Sequence, residues 1–381
     1  MTVITGLRRV GKSTLLAQIA DRYLKDKFYF VNFEDERFLN FQVTDFELLL
    51  ETLISLFGDR KIFLLDEIQN IPQWERFVRR HNEQGYKFIV TGSNASLLSQ
   101  ELGTRLTGRS TRIELFPFSF REYLQFNQID IPVKKILTTK DKGRLIRLVN
   151  DYLASGGIPD ALKYPELEIR QNLYSDVLHR DIAVRYQLEN AKSLKELAFY
   201  LVSNPAALVS FNKLKESLKL GSVNTIKSYI DYLENSWLFF VVNKYAYSVR
   251  EQQIAAKKIY SVDTGLVKSV GFSFSRNRGK LLENLAFLAL KRTGQPIYYY
   301  KTASGSEVDF FLPKTRELIQ VTDSLNTSIV KNREVSALLE ANQEQREAFR
   351  LIILNTREKA EIKVEEKEIK IIPLYQWLLG R

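Results

Sequence analysis

The first third of the chain alternates short apolar runs with longer stretches of helical spacing, such as Ser13–Leu24 and Asp45–Phe57. Strands that alternate with helices along a chain form a parallel sheet with helices on both faces. An uninterrupted apolar run is typical of a strand that is buried on both faces. The runs that predict strands are Val3–Thr5, Phe28–Phe33, Ile62–Leu65, Phe88–Thr91 and Arg112–Leu115. We therefore expect residues 1–130 to form an α/β domain on a parallel sheet.

The same criterion divides the rest of the chain into three further domains. Residues 131–190 are mostly helical, with a break at Gly156–Pro159. Residues 191–262 predict three helices and a strand, and residues 263–381 return to a mixed α/β pattern. The elements predicted in these last two domains are helices Ser193–Ser203, Phe211–Leu218, Ser222–Ser236 and Lys280–Arg292, and strands Trp237–Val242, Ile297–Tyr300, Val308–Leu312 and Leu318–Val321.

Composition narrows the chemistry that the chain can carry. Its 381 residues are 45% apolar and 27% charged, which is ordinary for a soluble globular protein of several domains. The absence of cysteine excludes disulfides, thiolate metal sites and cysteine nucleophiles, and two histidines, His81 and His179, exclude a histidine-rich metal centre. Without an apolar run long enough to span a bilayer, or a signal peptide, we expect a cytoplasmic protein with no membrane partner.

The net charge of the chain indicates which kind of binding partner to expect. The formal net charge is +11, which favours an anionic partner such as nucleic acid or a nucleotide. A basic surface that is simply well solvated explains the same charge. Charge alone therefore leaves DNA binding open.

A glycine-rich loop follows the first predicted strand and precedes the first predicted helix. Its sequence, GLRRVGKS, fits G-x-x-x-x-G-K-[ST] at every fixed position. In such a loop, backbone N–H groups surround phosphate oxygens at the N-terminus of a helix. We expect Lys12 to reach the β- and γ-phosphates and the Ser13 hydroxyl to bind Mg²⁺. The residues predicted to bind the nucleotide here are Gly6, Arg8, Arg9, Val10, Gly11, Lys12, Ser13 and Thr14.

Two acids, Asp66 and Glu67, end the apolar run Ile62–Leu65. Asp66 is expected to hold Mg²⁺ together with Ser13, and Glu67 to polarise the attacking water as a general base. A surface pair of acids after a strand is the alternative. The order of glycine loop, strand and two acids favours a nucleotide site.

Polar residues also follow the next strand and precede the last one of this domain. Thr91, Ser93 and Asn94 are candidates to orient water beside the γ-phosphate, although a polar turn is the alternative. Arg109, with Arg105 nearby, is a candidate to contact the γ-phosphate of a neighbouring subunit. That role predicts a homo-oligomer, whereas a solvated charge is the alternative for any one arginine.

These motifs together resemble a widespread family of archaeal and bacterial AAA+-type ATPases with a C-terminal domain of unassigned function. The resemblance covers most of the chain. It implies ATP as the nucleotide, an ATPase core, a helical lid, a winged helix and a restriction-endonuclease-like C-terminal fold. The motifs that carry it are the glycine loop, Leu65–Gln69, Thr91–Asn94, Leu106–Arg109, Phe116–Tyr123, Gly156–Pro159, Leu178–Ile182, Lys258–Leu266 and Gly305–Phe310.

The resemblance also bears on how adenine is held. Gly157–Pro159 looks like the lid motif of related signalling ATPases, so Pro159 is expected near adenine, with a plain loop as the alternative. Related proteins usually have further residues before the glycine loop that help to hold adenine. Because the loop here begins at Gly6, we expect either a misplaced start or a reduced adenine pocket.

The three helices of residues 191–262 have the arrangement of a helix-turn-helix, with Leu220–Thr225 as the turn and cap before the third. As the predicted winged helix it offers side chains to duplex DNA, while docking of a protein partner is the alternative. The candidates are Asn224, Thr225, Lys227 and Ser228 for base contacts and Lys213, Lys215 and Lys219 for phosphates.

Residues 263–381 resemble the layout of the restriction-endonuclease fold, with Glu283 on a helix, Asp309 on a strand and Gln320 on the next. In that fold, two carboxylates bind metal beside a lysine that assists water. Thr322 stands where the lysine is expected, and Lys301 could replace it. An inactive nuclease fold kept for DNA or protein binding is the favoured interpretation.

The leading hypothesis is an ATP-driven molecular switch, with ATP and Mg²⁺ as cofactors, that engages DNA or a protein partner. An active ATP-dependent nuclease and a regulator that binds ATP without turnover are the alternatives.

Overall fold

The computed structural model describes residues 1–93, 110–130, 137–219, 221–272, 278–345 and 349–380. The chain divides into two units. One comprises Met1–Phe116 with Asn235–Trp237, and the other comprises Pro117–Glu234 with Leu238–Arg381. The helical segment, the three-helix segment and the C-terminal sheet therefore belong to one unit, separate from the first sheet.

A five-stranded parallel sheet forms the first unit, in the order β2-β3-β4-β1-β5. The predicted α/β class and all five predicted strands are confirmed. The strands are β1 Thr2–Gly6, β2 Tyr29–Asn32, β3 Ile62–Asp66, β4 Lys87–Gly92 and β5 Thr111–Leu115. The helices are α1 Lys12–Ile19, α2 Phe46–Phe57 and α3 Trp74–Glu83, with short turns of other helical types at Ala20–Leu24, Glu36–Phe38, Val43–Asp45 and Ile68–Asn70.

Both faces of strand β3 are buried, as its uninterrupted apolar run predicts. On one face, Phe63 stacks on Phe88 at a centroid distance of 5.1 Å within an aromatic cluster that includes helices α2 and α3. On the other face, Ile4 and Leu64 pack against Leu16 of α1. Consecutive residues of β3 thus enter opposite apolar layers, which is the geometry of a pleated strand.

The second unit begins with helices. Two of them start with reciprocal caps, in which Ser119 pairs with Glu122 and Thr138 pairs with Asp141. The helices are α4 Phe120–Phe126, α5 Thr139–Ser155, α6 Pro159–Lys163 and α7 Ile169–Asp176, and α7 continues as a π-helical segment at Val177–Val184. No described helix has both the length and the apolar character that crossing a bilayer requires.

Three helices and a small antiparallel sheet follow, with the strands in the order β6-β8-β7. The helices match the three predicted segments. Strand β6 has three residues, which is too short for a period-two pattern to indicate. The elements are α8 Ala191–Ser203, β6 Ala207–Val209, α9 Phe211–Ser217, α10 Val223–Asn235, β7 Phe239–Val242, α11 Val249–Ile254, β8 Lys257–Ser261 and α12 Thr264–Val270.

The C-terminal part of this unit is a six-stranded mixed sheet in the order β13-β14-β12-β11-β10-β9. One face packs against Ala337, Leu338 and Ala341 of a long helix. The elements are α13 Arg278–Lys291, β9 Tyr298–Lys301, β10 Glu307–Leu312, β11 Glu317–Val321, α14 Ser328–Glu344, β12 Arg350–Asn355, β13 Ala360–Val364, β14 Lys367–Pro373 and α15 Leu374–Leu379.

The helical break at residue 156 is held by a buried carboxylate. Asp263 accepts hydrogen bonds from the Gly157 amide at 2.6 Å and the Leu266 amide at 2.8 Å. Burial raises the pKa of Asp263, and these backbone donors offset part of that effect. A Cβ at Gly265 would lie 2.2 Å from the Ser155 carbonyl oxygen. The start of α12 and the end of α5 therefore meet backbone to backbone.

We predict that Gly265→Ala lowers the stability of the chain by about 1–3 kcal/mol, because backbone atoms must move to admit the methyl group. Thermal unfolding measures the change. The matched control is Gly143→Ala in α5, where the added Cβ meets nothing within 4 Å. There, the helix should gain roughly 0.5–1 kcal/mol. Equal melting temperatures for the two variants would contradict the prediction.

Candidate nucleotide-binding site

The glycine loop joins β1 to α1, and its two glycines are required for different reasons. Gly11 has φ 99° directly before the first residue of α1. A residue with a side chain rarely adopts that conformation. Gly6 pairs with Leu115 of β5, and a Cβ there would lie 2.3 Å from the Leu115 carbonyl oxygen. Arg9 is also left-handed, at φ 60°. The loop therefore turns sharply and ends on the N-terminus of α1.

Lys12, the first residue of α1, is almost fully buried, with 4% exposure. Its Nζ donates hydrogen bonds to the carbonyl oxygens of Gly6 and Leu7, both at 3.2 Å. The same Nζ lies 3.3 Å from Oε1 of Glu67. The ammonium group thus joins the glycine loop to Glu67, which directly follows β3.

Thr91 of β4 connects the two acids at the end of β3. Its hydroxyl donates a hydrogen bond to Asp66 and accepts one from the Glu67 amide at 3.0 Å. Glu67 has φ 50°, so the backbone turns immediately after Asp66. The neighbouring strands β3 and β4 therefore end with their polar groups locked together at one edge of the sheet.

The electrostatics of Glu67 depend on Lys12. Burial alone would raise the pKa of this carboxyl, but the Lys12 ammonium and a hydrogen bond from Gln69 outweigh it and lower the pKa below its usual value. Glu67 is therefore ionised at neutral pH. A buried, ionised carboxylate at this position has the protonation state that a general base requires.

The remaining loop residues differ in exposure. Val10 is buried, whereas Arg9, Ser13 and Thr14 are exposed. Arg8 pairs with Glu34, which follows β2, at 3.2 Å. Ser13 and Asp66 offer a hydroxyl and a carboxylate, which are oxygen ligands that suit Mg²⁺.

Two buried hydroxyls lie at the carboxyl ends of neighbouring strands. Thr5 of β1 pairs in register with Gly92, and Ser93 follows that residue. Among the protein groups that the structure describes, neither the Thr5 nor the Ser93 hydroxyl has a hydrogen-bond partner. Buried polar groups are usually satisfied, so these two hydroxyls are available to a polar ligand at this edge.

Several predicted residues lie elsewhere. Asn94 and Arg109 fall outside the described residues. Pro159 belongs to the second unit, where it is the first residue of α6. Glu283, Asp309 and Gln320 also belong to that unit and lie together around β10. The structure thus brings Lys12, Asp66, Glu67 and Thr91 into one site, and their roles in nucleotide binding stay predictions.

Sequence comparison places this site in a known domain. The AAA-domain family matches residues 1–124, and two domains of unknown function, DUF8612 and DUF4143, match residues 146–277 and 278–377. An uncharacterized protein of Methanocaldococcus jannaschii is 34% identical over 99% of this chain and 88% of its own length. An uncharacterized protein of Haemophilus influenzae is 30% identical over 84% of this chain and 81% of its own length.

The chain belongs to this family of AAA-domain proteins with a C-terminal domain of unknown function. Membership of the AAA+ class implies nucleotide binding, typically with Mg²⁺. Among solved structures, AMPPCP-bound DnaA from Aquifex aeolicus aligns with 61% of this chain and 81% of that one, at 14% identity and a TM-score of 0.22. A TM-score of 0.22 does not establish a shared fold, and the family membership of the chain rests on its sequence relatives.

Two side chains of the AAA-domain site were not predicted. Gln69 binds the Glu67 carboxylate, and Glu34 pairs with Arg8. Gln69 lies only two residues after Glu67, so its closeness in sequence is a signal that could have indicated this contact. Glu34 follows a different strand, and only the parallel register of β2 beside β3 brings it near the loop.

We predict that Lys12→Met raises the pKa of Glu67, because the effect of burial remains after the ammonium is removed. In the wild type, the folded pKa lies below the unfolded value of about 4.3. Ionisation of Glu67 therefore stabilises the fold above that value, and the contribution is lost as the pH falls through the folded pKa. In the variant this stabilisation should be absent.

Carbon-13 NMR titration of labelled glutamate carboxyls measures the shift. Lys61→Met is the control, because Lys61 is exposed and pairs with Asp59 instead. An unchanged Glu67 titration in Lys12→Met would show that Lys12 does not set this pKa.

Proposed function

We propose that the chain is an ATP-hydrolysing molecular switch whose second unit engages duplex DNA. The observation that carries the first part is the cluster at the sheet edge, in which Lys12 contacts both the glycine loop and Glu67. A lysine, an ionised carboxylate and a second acid next to amide-rich backbone are the groups that phosphoryl transfer requires.

Each group has a distinct task in this proposal. Amides of the loop from Gly6 to Gly11 and the N-terminus of α1 bind phosphate oxygens. Lys12 neutralises charge on the β- and γ-phosphates, and Ser13 and Asp66 would hold Mg²⁺. Bound Mg²⁺ supplies positive charge to the phosphate oxygens. Glu67 accepts a proton from the attacking water, and the Thr91 hydroxyl fixes both acids in place.

The Lys12–Glu67 contact supplies a mechanism for switching. A triphosphate carries more negative charge than one carboxylate, so it competes with Glu67 for the Lys12 ammonium. When Lys12 moves to phosphate, Glu67 loses its main positive neighbour and its proton affinity rises. Nucleotide binding thereby changes both the position of the loop and the basicity of the predicted base. Contact of Arg109 with a neighbouring subunit would couple such sites in a homo-oligomer.

We expect Lys12→Ala to weaken ATP binding by about 10- to 100-fold, because a charged contact to phosphate is lost. Glu67→Gln should retain ATP binding and lose roughly 10²- to 10⁴-fold in turnover, because the amide cannot accept the proton. Calorimetry measures binding, and phosphate release measures turnover. Glu83→Gln is the control, since Glu83 is the last residue of α3 and pairs with Arg79 of the same helix.

The outcomes separate the alternatives. Binding without phosphate release in both the wild type and Glu67→Gln would favour a regulator that does not hydrolyse ATP. No binding of magnesium nucleotide by the folded wild type would overturn the proposal.

The output to DNA rests on the segment from α8 to β8. Three helices followed by two strands that join β6 in the order β6-β8-β7 are the arrangement expected of a winged helix. Asn224 and Lys227, in the first half of α10, are exposed. The lysines of α9 and the turn after it are exposed as well, namely Lys213, Lys215 and Lys219. Exposed amide and ammonium side chains, the kinds that contact bases and phosphates, are thus present on α9, on the turn after it and on α10, which supports the proposal of DNA binding.

We predict that Lys227→Glu weakens binding to duplex DNA and reduces the slope of log affinity against log salt by about 1. Fluorescence anisotropy at several salt concentrations measures both. Lys140→Glu, at an exposed position in α5, changes the net charge equally and should leave the slope unchanged. Equal losses in the two variants would indicate a non-specific charge effect and count against α10 as the reader.

A further inference from the structure

A cleft in the C-terminal part of the second unit is lined by Glu283, Glu307 and Asp309, and a fully buried lysine lies among these acids. Nζ of Lys258, on β8, is 2.7 Å from Glu283, 2.8 Å from Asp309 and 2.7 Å from Glu307. Its side chain has no exposed area. The ammonium therefore sits at the point where carboxylates from α13 and β10 converge.

Other protein donors occupy the rest of these carboxylate oxygens. Tyr260, two residues further along the same face of β8, donates to Oε1 of Glu283 at 2.8 Å, and Lys280 donates to Oε2 at 2.8 Å. The second oxygen of Asp309 accepts a hydrogen bond from the Val321 amide at 2.9 Å. All four oxygens of the two predicted metal-binding acids thus have internal donors.

Gln320, the third predicted metal ligand, also has protein partners for its polar atoms. Oε1 of Gln320 accepts a hydrogen bond from the Asp309 amide at 2.9 Å, and its Nε2 donates to the Glu307 carbonyl at 3.1 Å. Both polar atoms of this side chain therefore join β11 to the backbone of β10. The Gln320 side chain stabilises the pairing of β10 with β11, and its oxygen is already hydrogen-bonded.

The charges around Lys258 favour its protonated, ammonium form. Burial disfavours the charge of Lys258, but Asp309 and Glu283 outweigh it and raise its pKa well above the usual value. Burial would raise the pKa of Asp309, yet Lys258 and Lys280 lower it below its ordinary range. For Glu283, burial and the nearby Asp309 charge prevail, and its pKa is raised.

The cluster has little net negative charge left for a further cation to neutralise. Two ammonium groups, of Lys258 and Lys280, face the three carboxylates of Glu283, Glu307 and Asp309. A divalent ion on the same oxygens would have to displace Lys258. Within the described residues, no group of three acidic or imidazole side chains is arranged to hold a metal ion.

We propose that the Lys258 ammonium is the resident cation of this carboxylate cluster, where it locks β8 onto α13 and β10 in place of a divalent metal. Lys301, the sequence candidate for a relocated lysine, ends β9 with an exposed side chain and does not take this position. The wild-type cleft is accordingly a structural site. Its carboxylates become available to a divalent cation only when the lysine side chain is removed. This inference is independent of the proposed ATPase.

Lys258→Met in the full chain tests the proposal. Removing one partner of a buried ion cluster leaves uncompensated carboxylates, so the melting temperature should fall by about 10 °C. Mn²⁺ should then restore part of the loss in Lys258→Met and leave the wild type unchanged. Lys301→Met is the matched control and should melt like the wild type, with no response to Mn²⁺.

Electron paramagnetic resonance of free Mn²⁺ gives the second readout. Lys258→Met should bind about one additional Mn²⁺ relative to the wild type, and adding Asp309→Asn should remove it. Saturable Mn²⁺ binding by the wild type that Asp309→Asn abolishes would overturn the proposal. Wild-type stability of Lys258→Met, or the absence of any Mn²⁺ response in the folded variant, would overturn it too.

A second variant covers the case in which Lys258→Met does not fold. The pair Lys258→Met with Glu283→Gln removes one charge of each sign, so it should fold and melt above Lys258→Met. Failure of this pair to improve on the single variant would mean that charge compensation is not what Lys258 provides.

Discussion

Each unit of this protein buries a lysine ammonium that pairs with a carboxylate from an element distant in sequence. Burying a charge is unfavourable unless it is paired and hydrogen-bonded, so each lysine restricts where its partners lie. Lys12 holds the glycine loop against the end of β3 through Glu67. Lys258 holds β8 against α13 and β10 through Glu283 and Asp309. The positions of both candidate sites depend on these contacts.

The two clusters use the same chemistry in different surroundings. Lys12 lies at the N-terminus of a helix, beside exposed Ser13 and Thr14 and close to the backbone amides that are predicted to bind phosphate. In the proposed function, an incoming anion replaces its carboxylate partner. Lys258 has no exposed side-chain area, and its acids are also bound by Tyr260 and Lys280. The first arrangement permits exchange of partners, whereas the second stabilises one structure.

This difference connects the fold to the functional proposal. In the AAA domain, polar groups gather at the carboxyl edge of a parallel sheet because neighbouring strands end there together. Thr91 of β4 joins the two acids at the end of β3, and Lys12 joins the second of them to the glycine loop. In the second unit, Asp263 fixes the Gly157 loop to the start of α12. The loop at Gly157, which precedes Pro159, is thus tied to the helix that follows β8.

The sequence by itself determined the strands of the first sheet, the glycine loop and the acids after β3, because apolar periodicity and fixed local spacing carry that information. It also indicated Glu283, Asp309 and Gln320 as a group, through resemblance. Only the tertiary structure decided that Lys258 pairs with the acids of this group. It also decided that the Gln320 amide group hydrogen-bonds the backbone of β10 and that Glu34 pairs with Arg8. Such contacts depend on which elements become neighbours in space, and because all five residues of β8 are buried, its sequence has no apolar and polar alternation that would distinguish its two faces.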